Sequence, residues 1–462
     1  MTRNPDQAGP LIVPNFKAGF QMVLRVLSRL LVMLFGLALG LGFCELALSV
    51  VVRSDADGNR TYRGIRLKPF ALPQRRLAQL LDQLHASNAS AVVYSPELGW
   101  DSRPVVAIAG ADTLLTPGFR ARRSPEQYAL AAPNDTLRIL LFGDSFTACA
   151  TPETETWGHV LEDVVRKRGR AVEVLNFGLG GYGIDQAYLR WRKYGQRYHP
   201  DVVVFGFQPE NVKRDLNLIR LIYTPDTGLP FSKPRFVRSG DSLELVNVPA
   251  APPESLPAIL AHIDRWPLRQ YEAFYNAADY ADHPWLHGKL LPFTGAVLRT
   301  RSPHMRAQER AYYDPAGSTA SLALEILKQF DTEVRASGAQ FMVIDLPRRE
   351  DLRPLFEGKG EKVYEELRAE LRKRYGLIDP RPEFAATAGE PGLKALFQTD
   401  SHYNARGNRA VAAALARVLE QRQWLPGQSL AALNTASRSS GAVNMASSPA
   451  SSRGHSSIGR SQ

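Results

Sequence analysis

The sequence has little cysteine. Only Cys44 and Cys149 occur among 462 residues, too few for a disulfide framework or a cysteine-based zinc site. Cys44 lies inside a long apolar run, so a bridge between the two is not expected. So low a cysteine content fits either side of a bacterial membrane and does not indicate the redox compartment.

A compact basic block is also missing, although basic residues outnumber acidic ones. There are 57 Lys and Arg against 46 Asp and Glu, a formal net charge of +11. Such a balance can accompany nucleic acid, an anionic membrane surface or an acidic polymer. Because no Lys/Arg cluster with interleaved aromatic residues and no recognisable nucleic-acid module is present, we interpret the charge as a solvated surface and predict no nucleic-acid partner.

One apolar run is long enough to matter for location. LLVMLFGLALGLGFCELALSVVV covers residues 30–52, and Glu45 is its only charge. A membrane-spanning helix needs about 20 residues, whereas a secretory signal core has about 7–15. We therefore predict a leader over residues 1–29 and a retained transmembrane anchor over 30–52. The LGFC segment is similar to a lipoprotein box, but Phe43 occupies the small-residue position, so lipidation is not predicted.

Charge does not decide the orientation of this anchor, because basic residues flank it on both sides. The short leader and the large following domain favour export, so we predict a single-pass inner (cytoplasmic) membrane protein whose main domain is extracytoplasmic. Glu45 is expected near the outer interface. Gly36 and Gly40 form a GxxxG pair, which arises easily in such a helix and leaves the oligomeric state open.

Beyond residue 135 short apolar strands alternate with amphipathic helices. The predicted strands are TLRILLFGDS, AVEVLNFG, DVVVFGF, QFMVIDLP and LIDP. The predicted helices between and after them are ETWGHVLEDVVRKRG, IDQAYLRWRKYGQRY, SLALEILKQFDTEVRASG, EKVYEELRAELRKRYG and ARGNRAVAAALARVLEQR. Strands that are apolar on both faces, alternating with helices, predict an α/β fold with a parallel central sheet covered on both sides.

This alternation defines the predicted domain organisation. Residues 53–135 are a membrane-proximal connection, and residues 136–425 are the α/β domain. Residues 222–310, rich in Pro, Trp and Tyr without clean periodicity, interrupt that domain as an insertion or lid. Residues 426–462 are rich in Ser, Ala and Gly, and we predict a disordered tail because they contain too few large apolar residues to fold.

The first strand of the domain runs directly into Gly-Asp-Ser. Ser145 therefore lies at the carboxyl edge of the sheet, where ligands bind in such folds. It is either a nucleophile or an ordinary helix cap. A nucleophile needs a base and an oxyanion hole. The segment TDSHYNARGN places Asp400 two residues before His402, so that the carboxylate can orient the imidazole towards Ser145.

Four sequence blocks together resemble the SGNH (GDSL-type) hydrolases. They are FGDSFT, NFGLGGYG, GFQPEN and DSHYN, and the resemblance covers roughly residues 136–425. It implies a three-layer α/β/α, flavodoxin-like fold. It also implies a serine esterase, lipase, or carbohydrate acyl-esterase or acyltransferase.

Carried over by position, the resemblance implies a Ser145–His402–Asp400 triad. It implies an oxyanion hole made of the N–H groups of Ser145 and Gly181 and the side-chain amide of Asn211. The third block reads Glu-Asn-Val where the family usually has Gly-Asn-Asp. Glu210 is expected to point away, because a carboxylate beside an oxyanion donor would disfavour an anionic intermediate. Asp144 is expected to shape the turn.

The predicted function is acyl transfer from an ester, by preference an acetyl ester of cell-envelope or secreted carbohydrate, to water or to a second alcohol. No cofactor and no metal are predicted. One alternative is a non-catalytic, membrane-anchored partner of the same fold in polysaccharide assembly. A remote alternative is a dinucleotide-binding enzyme, because GLGGYG (residues 178–183) satisfies G-x-G-x-x-G after a strand. The strand that follows, however, ends on Phe207 and Gln208 rather than on an acidic residue.

Overall fold

The computed structural model describes residues 16–86, 91–109, 112–240, 242–358, 363–389 and 392–425. The first element is a 36-residue helix, α1 (Phe16–Val51). Residues 20–51 of this helix are long and apolar enough to cross a membrane, and its most apolar stretch is not buried by the rest of the chain. A signal sequence would share these properties. The predicted tail, residues 426–462, and the first half of the predicted leader lie outside the described residues.

Small antiparallel units follow α1. Strands β1, β2 and β3 form one sheet, β4 pairs with β5, and β6 pairs with β7. Their bounds are β1 (Arg53–Ser54), β2 (Arg60–Tyr62), β3 (Ile65–Leu67), α2 (Gln74–Ala86), β4 (Val92–Ser95), β5 (Gly99–Ser102), β6 (Val105–Ala109) and β7 (Asp112–Thr116). Trp100 on β5 is fully buried. The segment that we expected to be only a connection therefore also contributes to the packed body of the protein.

The α/β alternation begins at β8, close to the predicted position. The bounds are β8 (Leu137–Gly143), α3 (Ser145–Ala148), α4 (Trp157–Lys167), β9 (Val172–Asn176), α5 (Ile184–Lys193) and β10 (Val202–Phe207). All three strands are buried along their whole length. Strands buried on both faces are typical of a parallel sheet between helices.

The predicted insertion contains short helices and one hairpin. Its region has the elements α6 (Glu210–Arg214), α7 (Arg220–Tyr223), β11 (Arg235–Ser239), β12 (Ser242–Val246), α8 (Leu256–Ala261), α9 (Ala277–Tyr280), α10 (Leu290–Arg301) and α11 (Pro303–Ala311). The α/β alternation then resumes with α12 (Ser318–Ala336), β13 (Gln340–Asp345), α13 (Arg349–Glu357), α14 (Glu365–Tyr375), α15 (Arg381–Ala388) and α16 (Ala405–Gln421).

The central sheet has the order β13-β10-β8-β9, and all its pairings are parallel. Ile378 continues it through a parallel bridge to Ile344 at the outer edge of β13. Numbered along the chain, the order is 2-1-3-4-5, the flavodoxin-like arrangement, in which ligands bind where the strand order reverses. The reversal lies between β8 and β10, so the carboxyl end of β8 is at the switch point.

Helices cover both faces of the sheet. On one face α5, α12 and α14 bury residues against alternate positions of the strands, such as Leu140 and Val203. On the other face α4, α15 and α16 pack against the intervening positions, such as Ile139 and Val204. The three-layer α/β/α fold predicted from the sequence is thereby confirmed.

The carboxyl-terminal half of α1 contacts the insertion. The Glu45 carboxylate accepts the backbone N–H groups of Lys289 (2.6 Å) and Leu290 (2.9 Å) at the start of α10. Leu48 and Ala296 lie in one small apolar cluster beside this contact. The single charge of the apolar run is thus paired with a helix N-terminus, an arrangement that favours a carboxylate.

Candidate active site

Ser145 is placed by a tight turn at the end of β8. Gly143 has a φ of +150°, and a Cβ on it would lie 2.2 Å from Thr147 Oγ1, so the turn requires glycine there. Asp144 caps the following helix α3 because its Oδ1 accepts the N–H of Phe146 at 2.9 Å. The expectation that Asp144 shapes the turn matches this geometry, and Ser145 is left partly exposed at the sheet edge.

The three predicted triad residues meet at this edge. His402 Nε2 lies 2.9 Å from Ser145 Oγ, and His402 Nδ1 lies 3.0 Å from Asp400 Oδ2. Both distances are hydrogen-bond distances. One imidazole therefore lies between a hydroxyl and a carboxylate. His402 and Ser145 are 257 residues apart in the sequence. This is the arrangement in which a histidine takes a proton from a serine while a carboxylate stabilises the resulting imidazolium.

The loop that carries His402 is fixed by its own backbone and by Phe146. The N–H of Gln398 donates to His402 O at 2.7 Å, and Asn404 caps α16 by accepting two backbone N–H groups. The Phe146 ring lies 5.1 Å from the imidazole, centroid to centroid. The residue after the serine thus packs against the imidazole that contacts the serine.

The Asp400 carboxylate is stabilised in its charged form. Desolvation raises its pKa, but hydrogen bonds from the His402 N–H and imidazole outweigh that effect, and the pKa lies below its ordinary value. The backbone N–H of His402 donates to Asp400 Oδ1 at 3.1 Å. Asp400 therefore remains an anion at neutral pH, as its pairing with the imidazole requires, although its side chain is exposed.

Gly181 lies in the loop after β9, opposite Ser145. It has a φ of +81°, and a Cβ on it would meet Leu229 at 3.1 Å and Trp100 at 3.3 Å. Within the described part of the chain, neither the Ser145 N–H nor the Gly181 N–H has a hydrogen-bond partner. The structure therefore leaves both predicted backbone donors free at this edge of the sheet.

Asn211 is placed differently from the expectation. Its side chain is fully buried, and Nδ2 donates to Tyr182 O at 3.0 Å and lies 3.3 Å from Asp144 Oδ2. Both amide hydrogens are thus used inside the protein, where they tie the Gly181 loop to the turn before Ser145. The structure does not bring the Asn211 amide to the site as a free donor.

Gln208 has a side-chain amide that can serve as a donor at the site, whereas the Asn211 amide is already hydrogen-bonded. It follows β10 directly, and its Oε1 accepts the N–H of Glu210 at 2.6 Å. Its Nε2 makes no hydrogen bond within the residues that the structure describes. In the β8–β10 pairing the last pair is Gly206 with Gly143, so Gln208 and Ser145 each lie two residues beyond that pair. The two side chains therefore share the switch-point edge of the sheet.

Charged residues surround the turn in pairs. Arg214 Nη1 donates to Asp144 Oδ2 at 2.6 Å and to Tyr182 O at 3.2 Å. The Glu210 carboxylate lies 3.5 Å from Arg348 Nη1. Glu210 is thus paired with Arg348. This pairing is in line with the expectation that the Glu210 carboxylate does not compete with an anionic intermediate.

Two residues that line this site escaped sequence reasoning. Trp100 donates through Nε1 to Gly180 O at 3.1 Å, and its ring flanks Gly181. Arg220, at the start of α7, places its guanidinium carbon 3.5 Å from where a Cβ on Gly181 would lie. Both come from segments outside the recognisable strand–helix alternation, and no local motif indicates either of them.

The structure also bears on the dinucleotide-binding alternative, on Cys149 and on metal binding. At the start of α5, directly after GLGGYG, the N–H of Asp185 donates to the buried Asp215 carboxylate at 3.1 Å. That backbone N–H is thus taken by a carboxyl group of the protein and is not free to bind a dinucleotide pyrophosphate. Burial raises the pKa of the Cys149 thiol to about 12, so this cysteine is uncharged near Ser145. Among the described residues, no group of three or more His, Cys, Asp or Glu side chains is arranged to hold a metal ion.

No protein-family model and no curated protein matches the sequence. The following solved structures are similar to it. An acetyl xylan esterase, AlAXEase, is 14% identical, with 61% of this chain and 100% of that chain covered and a TM-score of 0.32. A lipase/acylhydrolase from Enterococcus faecalis is 16% identical, with 63% and 99% covered and a TM-score of 0.32. A lipolytic protein of the G-D-S-L family from Desulfitobacterium hafniense DCB-2 is 13% identical, with 61% and 99% covered and a TM-score of 0.29.

Proposed function

We propose that this protein is a serine esterase or O-acyltransferase of the SGNH type. In this proposal Ser145 is the nucleophile, His402 the general base and Asp400 the carboxylate that orients the imidazole. The observation that carries it is the continuous chain of hydrogen-bond distances, 2.9 Å from Ser145 Oγ to His402 Nε2 and 3.0 Å from His402 Nδ1 to Asp400 Oδ2. Its position at the switch point of the sheet supports the same conclusion.

The reaction proceeds in two steps. His402 takes the Ser145 proton while Oγ bonds to the ester carbonyl carbon, and the tetrahedral oxyanion accepts hydrogen bonds from the Ser145 and Gly181 N–H groups. His402 then protonates the leaving alcohol as the carbon–oxygen bond breaks. Water or a second alcohol, deprotonated by His402, attacks the acyl-enzyme and releases Ser145.

The proposal also covers the acyl group and the acceptor. We favour an acetyl ester of a cell-envelope or secreted carbohydrate, because the sequence blocks resemble a family that includes carbohydrate acyl-esterases and because the apolar helix α1 suits a domain held at the cell envelope. The test is to incubate the detergent-solubilised full chain with an acetylated oligosaccharide and an unacetylated acceptor, and to follow free acetate and acetylated acceptor together. Acetate alone identifies a hydrolase, and acceptor modification identifies a transferase. Absence of both with every ester offered contradicts the proposal.

We propose Gln208 as the side-chain donor to the oxyanion, with Asn211 holding the loop that presents Gly181. Replacing Gln208 by Glu keeps the Oε1 acceptor for Glu210 N–H and removes the donor. Since one donor of this kind is worth about 10²–10³ in kcat, and a carboxylate in its place repels the oxyanion, we expect Gln208→Glu to lower kcat by at least that factor. Because Gln208 is buried, the new carboxylate is also expected to lower the melting temperature.

Asn211→Asp is the matched variant. It keeps the acceptor for the Gln208 N–H but loses the bond to Tyr182 O and places a second carboxylate against Asp144. We expect Asn211→Asp to lower the melting temperature as well as kcat. If Asn211→Asp lowers kcat by that factor at an unchanged melting temperature while Gln208→Glu is as active as wild type, Asn211 is the donor instead.

We propose that α1 anchors the protein in the inner membrane with the domain outside the cytoplasm. The length of α1, its exposed apolar side chains and the pairing of Glu45 with α10 support an anchor that stays attached to the domain. A fusion of alkaline phosphatase to the carboxyl terminus is expected to be active. An inactive phosphatase fusion combined with a fluorescent GFP fusion would place the domain inside the cell.

A further inference from the structure

The guanidinium of Arg220 is a buried cation that makes no hydrogen bond or ion pair with the described residues. The residue is 7% exposed, and Nε and Nη1 are buried without any hydrogen-bond partner among the described residues. Nη2 likewise makes no hydrogen bond in the part of the chain that the structure covers. Burying a cation is costly unless it is paired, so such a group calls for an anion that is not part of the protein.

The neighbouring charges do not supply that anion. Asp144 is engaged by Arg214, and Glu210 by Arg348, so the carboxylates that act on Arg220 are committed to other guanidinium groups. The other close contact is the ring of Tyr223, whose centroid lies 5.3 Å from the guanidinium carbon. Burial, and then repulsion from Arg214, lowers the pKa of Arg220 to about 9. It therefore still carries its charge at neutral pH.

The location of this cation connects it with the candidate active site. Its guanidinium carbon lies 3.5 Å from the position of a Cβ on Gly181, the proposed oxyanion donor. Leu229 and Trp100 flank the same position. The guanidinium therefore lies beside the loop that carries the proposed oxyanion donor.

We propose that Arg220 binds a carboxylate of the substrate beside the oxyanion loop, an inference that rests on the proposed function. Nη2 is the guanidinium nitrogen that is not fully enclosed, and its charged N–H groups suit a carboxylate oxygen. The carboxylate belongs either to the acyl group, as in a succinyl ester, or to the sugar that carries the ester, as in a uronic acid. In both cases the preferred ester is anionic.

The experiment compares Arg220→Gln and Arg220→Lys with wild type on paired esters, using the full chain in detergent. The acyl pair is p-nitrophenyl acetate and mono-p-nitrophenyl succinate. The sugar pair is acetylated xylo-oligosaccharide and acetylated oligogalacturonate. Arg238→Gln, an exposed arginine on the β11 hairpin, is the matched control and is expected to behave as wild type.

Loss of a charge-assisted contact is expected to lower kcat/KM of Arg220→Gln about 10- to 100-fold on one anionic ester, and no more than about threefold on its neutral partner. Arg220→Lys is expected to recover part of that loss. The pair that shows the difference identifies the source of the carboxylate. Equal losses on neutral and anionic esters, or no loss on any of them, would overturn the proposal.

A binding measurement separates this proposal from the proposed function. Should wild type hydrolyse none of the four esters, thermal stabilisation of the Ser145→Ala chain by succinate and by galacturonate is measured. Stabilisation that Arg220→Gln removes supports the carboxylate site although the esterase proposal has failed. Equal melting temperatures with and without both carboxylates contradict the site itself.

Discussion

Replacing Ser145 by Ala is expected to lower kcat for ester cleavage by about 10⁴-fold or more, because removing the nucleophile of a serine triad leaves only binding and the oxyanion hole. Folding should be unaffected. Ser145 is partly exposed, and its side chain contacts His402 rather than the apolar core. The measurement is kcat with p-nitrophenyl acetate at saturating substrate, together with the melting temperature of each purified chain.

The matched control for this variant is Ser242→Ala. Ser242 is exposed on the β11–β12 hairpin and bonds only to a nearby backbone oxygen. It should retain the wild-type rate. Equal rates for wild type and Ser145→Ala would show that another group performs the reaction.

Replacing His402 by Gln is expected to lower kcat by about 10²–10⁴-fold, the range that a positioned general base contributes. The loss should be of similar size across neutral pH, since the glutamine cannot accept the Ser145 proton at any pH. Asp400→Asn should cause a smaller loss. Its carboxylate orients the imidazole from an exposed position, where water can partly replace it.

His85→Gln is the control for the histidine. His85 lies on α2 and pairs with Glu254 at the surface, with 60% of its side chain exposed. We expect it to have wild-type kcat. A His402→Gln chain as active as His85→Gln, at equal stability, would remove His402 from the reaction and with it the proposed role of Asp400.

Much of the domain could be predicted because its signals are local. Strands such as β8 are continuous apolar runs bounded by turn residues, and α4 places its apolar residues on one face, so both lie within a few residues of the predicted bounds. The juxtaposition of Ser145 with His402 was predictable for a related reason. The carboxyl ends of parallel strands and the loops beside them meet at one edge of the sheet, whatever their distance in sequence.

The third oxyanion donor could not be settled from the sequence. GFQPEN contains two amides, and which of them remains free depends on where β10 ends and how Pro209 turns the chain. The strand ends at Phe207, and the turn directs the Asn211 amide to Tyr182 O. A shift of three residues along the block separates the two assignments, and no periodicity in the sequence distinguishes them.

Arg220 and Trp100 were missed because long-range pairing brings them to the site. Ile219 pairs with Ser232, which holds Arg220 beside the Gly181 loop, and the Gln186 side chain reaches Leu98 O beside Trp100. Neither segment has the regular alternation that reveals a strand or helix. An arginine in such a segment is ordinarily solvated, and only its burial without a partner in the folded chain distinguishes Arg220.

The most direct test of the central claim is covalent labelling with a fluorophosphonate probe, which reacts with an activated serine. The full chain in detergent is labelled as wild type, Ser145→Ala and Ser242→Ala, and the modified peptide is identified by mass spectrometry. The account predicts labelling of wild type and Ser242→Ala at Ser145, and none of Ser145→Ala. A folded wild-type chain that takes no label would contradict it and favour a non-catalytic partner of the same fold.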